Sequence, residues 1–280
     1  MHRLIKIGIV VFLLENSVFD LSSAEPARKI ISLAPSTTEI LFSLNLDKEI
    51  IGVSTFCNYP EQALKKEKVG TFSSPDVEKI VSLKPDLIFS TGLEQDSVVA
   101  KLKKLRFNVY VSDPSDFEEL FDSIREIGIL TNRKKESREL IAHIKEKIQN
   151  IQKKVRLVPA EKRPKVFVEI WHDPLMTAGP GSFIDELITL AGGINIASRL
   201  PRPYSYISLE QVIKANPDFI FLGYMTPQET IAVTREGVWK QVNAVKNERV
   251  YGDINPDLIL RQSPRLVTGL DKIHERLYPE

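Results

Sequence analysis

The chain holds a single cysteine, Cys57, in 280 residues, so no disulfide can form within it and a packed core has to hold the fold. Cys57 also lies too far along the chain to carry a lipid anchor after a leader. An excess of one charge is missing too. With 38 basic and 37 acidic residues the net charge is +1, which removes the electrostatic reason to expect nucleic acid as a partner, and no nucleic-acid-binding motif compensates. Histidine is scarce: of four, His2 falls in the leader, His143 in a lysine-rich helical stretch and His274 in the last helix. Only His172 is placed to meet a ligand, so a bare transition-metal site, which needs several histidines and carboxylates, is not expected. A nucleophile elbow, a phosphate-binding glycine loop and a metalloprotease helix motif are all absent. The apolar run Ile7 to Leu14 is too short to span a bilayer.

What is present is an ordinary globular composition, 42% hydrophobic and 27% charged, long enough for one large domain or two of moderate size. His2, Arg3 and Lys6, the apolar run and the small residues "SSA" at 22–24 read as a secretory signal over 1–24 and predict a soluble protein of the bacterial periplasm. From Lys29 onward, strand-like and helix-like segments alternate, which predicts parallel sheets covered by helices. Between about Asn132 and Val155 lysine, arginine and glutamate surround a stripe of Leu140, Ile141, Ile144, Ile148, Ile151 and Val155. That spacing predicts one long amphipathic helix. Alternation restarts at "KVFVEI", so the helix is read as a connector lying across two halves.

The two halves repeat each other. "EKIVSLKPDLIF" from Glu78 and "EQVIKANPDFIF" from Glu210 share the leading Glu, the Pro-Asp pair and the closing Ile-Phe. Each predicts a capped helix ended by proline, then a buried strand. "LAPSTTEIL" at 33–41 and "TAGPGSFIDEL" at 177–187 recur more loosely in the same order. The expected architecture is α/β: two similar lobes with parallel sheets flanked by helices, 25–131 and 158–280, joined by a connecting helix at 132–157. A ligand cleft then lies between the lobes, because ligands of open α/β sheets sit beyond the carboxyl ends of the strands. The loops leading into helices carry Phe56, Tyr59, Phe72, Trp171, Tyr204 and Tyr206, with Asp257 and Arg261 nearby. Six aromatic side chains in loops suit a large flat ligand covered on both faces.

The run from "RKIISLAPSTTEILFSLN" to "DLIFSTG", together with "VFVEIWHDPLMTAGPGSFIDELITLAGGINI" and "DLILRQSPRL", closely resembles the cobalamin-binding periplasmic proteins of ABC importers, the helical-backbone class. The resemblance covers nearly all of the chain after residue 24. It implies a monomeric binding protein that is not an enzyme, needs no cofactor of its own, and carries cobalamin or a related corrinoid to a membrane permease dimer with its ATPase. By position, the family's ligand-contacting aromatics fall on Phe56, Phe72 and Tyr204, and a polar contact falls on Asp257. Phe72 and Tyr204 stand where cobalamin binders carry tryptophan, Ser90-Thr91 replaces another, and Trp171 and His172 are extra. Haem- and ferric-siderophore-binding relatives share the skeleton and remain the alternative ligands, with His172, Tyr59 or Tyr204 as candidate haem ligands. Tetrapyrrole chelatases have related folds and supply the enzyme alternative. Glu78 and Glu210 match the family's acids that meet arginines on the two halves of the permease. As helix-start carboxylates they also complement the helix dipole.

Overall fold

The computed structural model describes residues 27–223 and 237–279; the secretory signal expected over 1–24 lies outside the described residues. The first lobe runs β1 (Ile30–Ser32), α1 (Pro35–Ser43), β2 (Ile50–Val53), α2 (Glu61–Leu64), β3 (Glu67–Lys68), α3 (Val77–Leu83), β4 (Leu87–Ser90), α4 (Asp96–Lys104), β5 (Val109–Val111) and α5 (Phe117–Leu130). Its sheet is parallel throughout, in the order β3-β2-β1-β4-β5. The connector α6 spans Lys134–Val155. The second lobe follows with β6 (Lys165–Trp171), β7 (Met176–Ala178), α7 (Phe183–Leu190), β8 (Ile194–Asn195), β9 (Tyr204–Tyr206), α8 (Leu209–Ala215) and β10 (Phe219–Leu222). It closes with α9 (Asn243–Lys246), β11 (Val250–Tyr251) and α10 (Leu266–Leu277). The order there is β11-β10-β6-β7-β9, with β8 beside the start of β6.

The second sheet departs from the expected all-parallel form. β7 runs antiparallel to β6, and β9 antiparallel to β7, so 176–178 and 204–206 are strands where loops were expected. Three-residue strands such as "MTA" and "YSY" are too short for alternation to reveal. Cross-strand pairing fixes them instead.

The doubled phrase has a structural cause in each lobe. Asp76 caps α3 by accepting from Lys79 N, and Ser208 forms a capping box with Gln211 at α8. Lys84 and Asn216 end these helices in the left-handed conformation, at φ 50° and 49°. The aspartate of each Pro-Asp pair then ties the repeat to the lobe's first strand. Asp86 Oδ2 accepts from Arg28 N and Lys29 N, both at 2.9 Å, and Asp218 Oδ2 accepts from Lys165 N at 2.9 Å. The paired strands that follow are central and buried. In α3, Ile80 is buried and Val81 beside it is 37% exposed, because a seven-residue helix buries only the narrow stripe centred on Ile80.

Both lobes share one hydrophobic core. It extends continuously from Ile30 and Phe89 through Phe117 and Phe183 to Leu270 and Leu277, with Phe117 and Phe183 meeting edge to face across the lobes at 5.8 Å. Helix α6 buries Ile144, Ile151 and Val155 and packs on α5 from one lobe and on α7 and α10 from the other. Its lysines reach both ways: Lys145 lies 3.3 Å from Glu118 and Lys147 lies 3.8 Å from Asp271. Among the described residues no helix is long and apolar enough to cross a membrane.

Candidate functional site

The first lobe's strands all point their carboxyl ends to one side, and the loops leaving them line a cleft of about 470 Å³. Pro35 and Ser36 follow β1, Phe56 follows β2, Phe72 and Ser73 follow β3, and Thr91 and Glu94 follow β4. The second lobe contributes Asp257, Leu260, Arg261 and Gln262, after β11.

Two polar networks hold these loops. Gln95, fully buried, joins three of them. Its Oε1 accepts from Ser90 Oγ at 2.6 Å and Thr91 N at 3.2 Å, while Nε2 donates to the Leu33 carbonyl at 3.1 Å and the Phe72 carbonyl at 2.7 Å. A buried amide with both ends satisfied fixes backbone positions well, and here it sets where the Phe72 loop stands. At the root of the β1 and β2 loops, Thr38 Oγ1 lies 2.8 Å from Ser32 Oγ and 3.1 Å from Cys57 Sγ. Burial pushes the Cys57 thiol pKa up, so Cys57 is a packed thiol under the Phe56 loop, held in its protonated form.

The second network crosses between the lobes. Glu39, in the middle of α1 and 2% exposed, accepts from Arg261 Nη1 at 2.8 Å, from Arg265 Nε at 2.8 Å and from Arg265 Nη2 at 2.5 Å. Arg261 Nη1 also donates to Asn58 Oδ1 at 2.8 Å, and its Nη2 stands 2.8 Å from Asp257 Oδ1. Asn58 Nδ2 donates to Asp257 Oδ2 at 3.3 Å. The Arg265 guanidinium lies over the Tyr59 ring, 3.7 Å from its centroid. Hydrogen bonding to Glu39 raises the Arg265 pKa above its ordinary value. A reciprocal contact runs the other way, where Glu186 Oε2 of the second lobe accepts from Phe117 N at the start of α5, at 2.9 Å. Burial raises the Glu186 pKa.

The expected site residues therefore divide. Phe56, Phe72, Asp257 and Arg261 line the cleft. Tyr59 belongs to the bridge between lobes, under Arg265. Trp171, His172 and Tyr204 stand outside the lining, on the second lobe. Trp171 ends β6, pairs with Met176, which in turn pairs with Tyr206. A register shift between Glu169 and Trp171 interrupts the alternation of faces on β6, whereas β7 and β9 pair regularly, so Met176, Ala178, Tyr204 and Tyr206 share one face. Burial raises the Tyr204 hydroxyl pKa, and the Asp113 carboxylate of the first lobe adds to the shift. His172 lies in the turn after Trp171, its Nδ1 2.8 Å from Oε1 of the buried Glu169. Glu78 and Glu210 are exposed, each the second residue of its seven-residue helix. Both helices start at the carboxyl-end side of their sheets, the side on which the cleft opens.

Sequence reasoning missed Glu39, Asn58, Gln95, Arg265 and Met176. For Glu39 a signal existed: a carboxylate set among the buried positions of a helix requires a partner brought by another part of the chain.

The class of protein follows from this geometry and from comparison with known proteins. Residues 30–256 match the family model described as periplasmic binding protein, and the chain belongs to that family. It is 32% identical over 266 residues to an uncharacterized ABC transporter substrate-binding lipoprotein, YvrC, of Bacillus subtilis, covering 93% of this chain and 83% of that one. It is 30% identical over 254 residues to the vitamin B12-binding protein of Vibrio cholerae, covering 89% and 88%. A solved structure described as a possible iron-binding, periplasmic solute-binding protein of Staphylococcus epidermidis superposes with a TM-score of 0.80 at 29% identity, covering 91% of this chain and all of that one. The chain is thus a substrate-binding protein of the ABC-importer type.

The bridge generates a stability prediction. Breaking a buried ion cluster by removing one charge is costly because its partners stay buried, so Glu39→Gln is expected to destabilise the protein by about 3 kcal/mol, measured by urea unfolding. A loss below about 0.5 kcal/mol, the level of an exposed pair, would contradict this.

Proposed function

We propose that the cleft captures cobalamin or a related corrinoid and that the protein, as a monomer, delivers it to a permease dimer. The observation that carries this is the cleft wall. Phe56 and Phe72 stand in it with Leu260, and the second lobe carries the exposed aromatic side chains Trp171, Tyr204 and Tyr206 outside that lining. Burial of ring surface contributes on the order of 25 cal/mol per Å² of apolar area removed from water. The cobalt of a corrinoid is already held by four ring nitrogens, so the protein need supply no metal ligand. The likeness to a vitamin B12-binding protein over most of both chains supports the same ligand class.

One observation favours haem as the second reading. His172 has Nδ1 committed to buried Glu169, which leaves Nε2 as a ligating atom. Calorimetry against cobalamin, cobinamide and haemin separates the two, with 1:1 corrinoid binding expected and Trp171 fluorescence quenched. Tight haemin binding with a shifted Soret band that His172→Ala abolishes, together with no corrinoid heat at micromolar protein, would give the ligand as haem.

We propose further that Glu78 and Glu210 each meet an arginine on one half of the permease dimer. Their repetition at the same exposed helix start in both lobes supports the pairing. Exposed ion pairs add little affinity but orient the encounter. Glu78→Arg with Glu210→Arg should leave folding and ligand affinity nearly intact while impairing uptake and docking to the permease, the double variant most. Uptake at wild-type rates by the double variant would reduce both glutamates to helix-end residues.

A further inference from the structure

Among the described residues the charged groups of the cleft lining are two carboxylates, Glu94 and Asp257, and one guanidinium, Arg261. Arg261 is largely committed within the protein, with Nη1 turned onto Glu39 and Asn58 and Nη2 onto Asp257, each at 2.8 Å. Arg265, behind it, is turned onto Glu39 and stacked on Tyr59. Asp113 adds a third carboxylate at the edge, held by the Thr91 hydroxyl at 3.3 Å. A ligand carboxylate entering here would meet guanidinium groups whose charge is already balanced by Glu39 and Asp257, and would approach Glu94 and Asp257, a like-charge encounter. The backbone that carries Glu94 is well fixed. It sits in the 3₁₀ turn Leu93–Gln95, beside the buried Gln95 that ties this turn to Leu33, Phe72, Ser90 and Thr91.

We propose that the cleft selects its ligand by charge, taking a flat macrocycle with an amide periphery and a neutral or positive net charge, and that Glu94 is the residue that sets this preference. The proposal rests on the corrinoid reading for the ring but concerns only what the ring carries. Asp257 contributes less, since Arg261 and Asn58 already neutralise and bind it.

The test measures calorimetric affinities of the full protein for three probes at low and high salt. Aquacyanocobinamide is a monocation with an amide periphery, cobyrinic acid is the same ring with free carboxylates, and haemin carries two propionates. The wild type should bind the cobinamide at least about tenfold more tightly than cobyrinic acid at low salt, with a smaller gap at high salt. Glu94→Gln should narrow that gap about threefold to tenfold, and Glu94→Lys should narrow it further. Equal affinities for the two corrinoids in the wild type, or a gap that neither substitution moves, would overturn charge selection and leave the corrinoid reading standing. Binding of haemin alone, with no corrinoid bound, would overturn both.

Discussion

A carboxylate in the first helix of one lobe, held by two arginines near the last helix of the other, sets the relation between the two halves of this protein. Glu39 is almost fully buried and accepts from Arg261 and Arg265 at once. Charges taken out of water are tolerated only when the geometry is close and the remaining polar atoms are satisfied. Both conditions hold, with Asn58 and Asp257 completing the set. Such a cluster need not add much net stability relative to a well-packed apolar substitute. Its larger effect is to permit one arrangement of the lobes, because any rotation that parts Glu39 from its partners leaves buried charge uncompensated.

The rest of the molecule agrees with that arrangement. Glu186 reaches back to the start of α5, so each lobe sends an acid from its opening helix to the other. Phe117 and Phe183 meet at the same level within a shared core, and α6 packs against helices of both lobes. A continuous helix lying on both halves resists the large hinge rotation that paired loop connections would allow. The cleft walls are therefore preformed: Asn58 fixes the loop that carries Phe56, and Gln95 fixes the one that carries Phe72. A preformed aromatic cleft loses little to ordering when a rigid macrocycle enters it.

Much of this architecture was legible in the sequence because it is local or periodic. The helix, proline, strand phrase at Glu78 and Glu210 gave the two lobes, and the three-and-four spacing from Leu140 to Val155 gave α6. The loops at the strand ends gave Phe56 and Phe72. What escaped is long-range or too short to be periodic. Glu39 reads as one polar residue among "STTEIL", and its partners lie 222 and 226 positions away. Gln95 is an unremarked amide in a turn, although four contacts converge on it. The strands 176–178 and 204–206 exist through pairing, the first with β6 and the second with the first, and these pairings alone set Met176 opposite both Trp171 and Tyr206. Arg261, named from the sequence as a ligand contact, has its donors on Glu39, Asn58 and Asp257.

The preformed relation of the lobes is tested most directly by distance measurement between spin labels at Lys103 and Lys246, one exposed site in each lobe. Buried Cys57, its thiol pKa raised, should stay unlabelled. A single narrow distance distribution is expected for the wild type, unchanged on adding a saturating corrinoid, and a broader one for Glu39→Gln. A shift of several ångströms when ligand binds the wild type, or a Glu39→Gln distribution as narrow as the wild type's, would contradict the account.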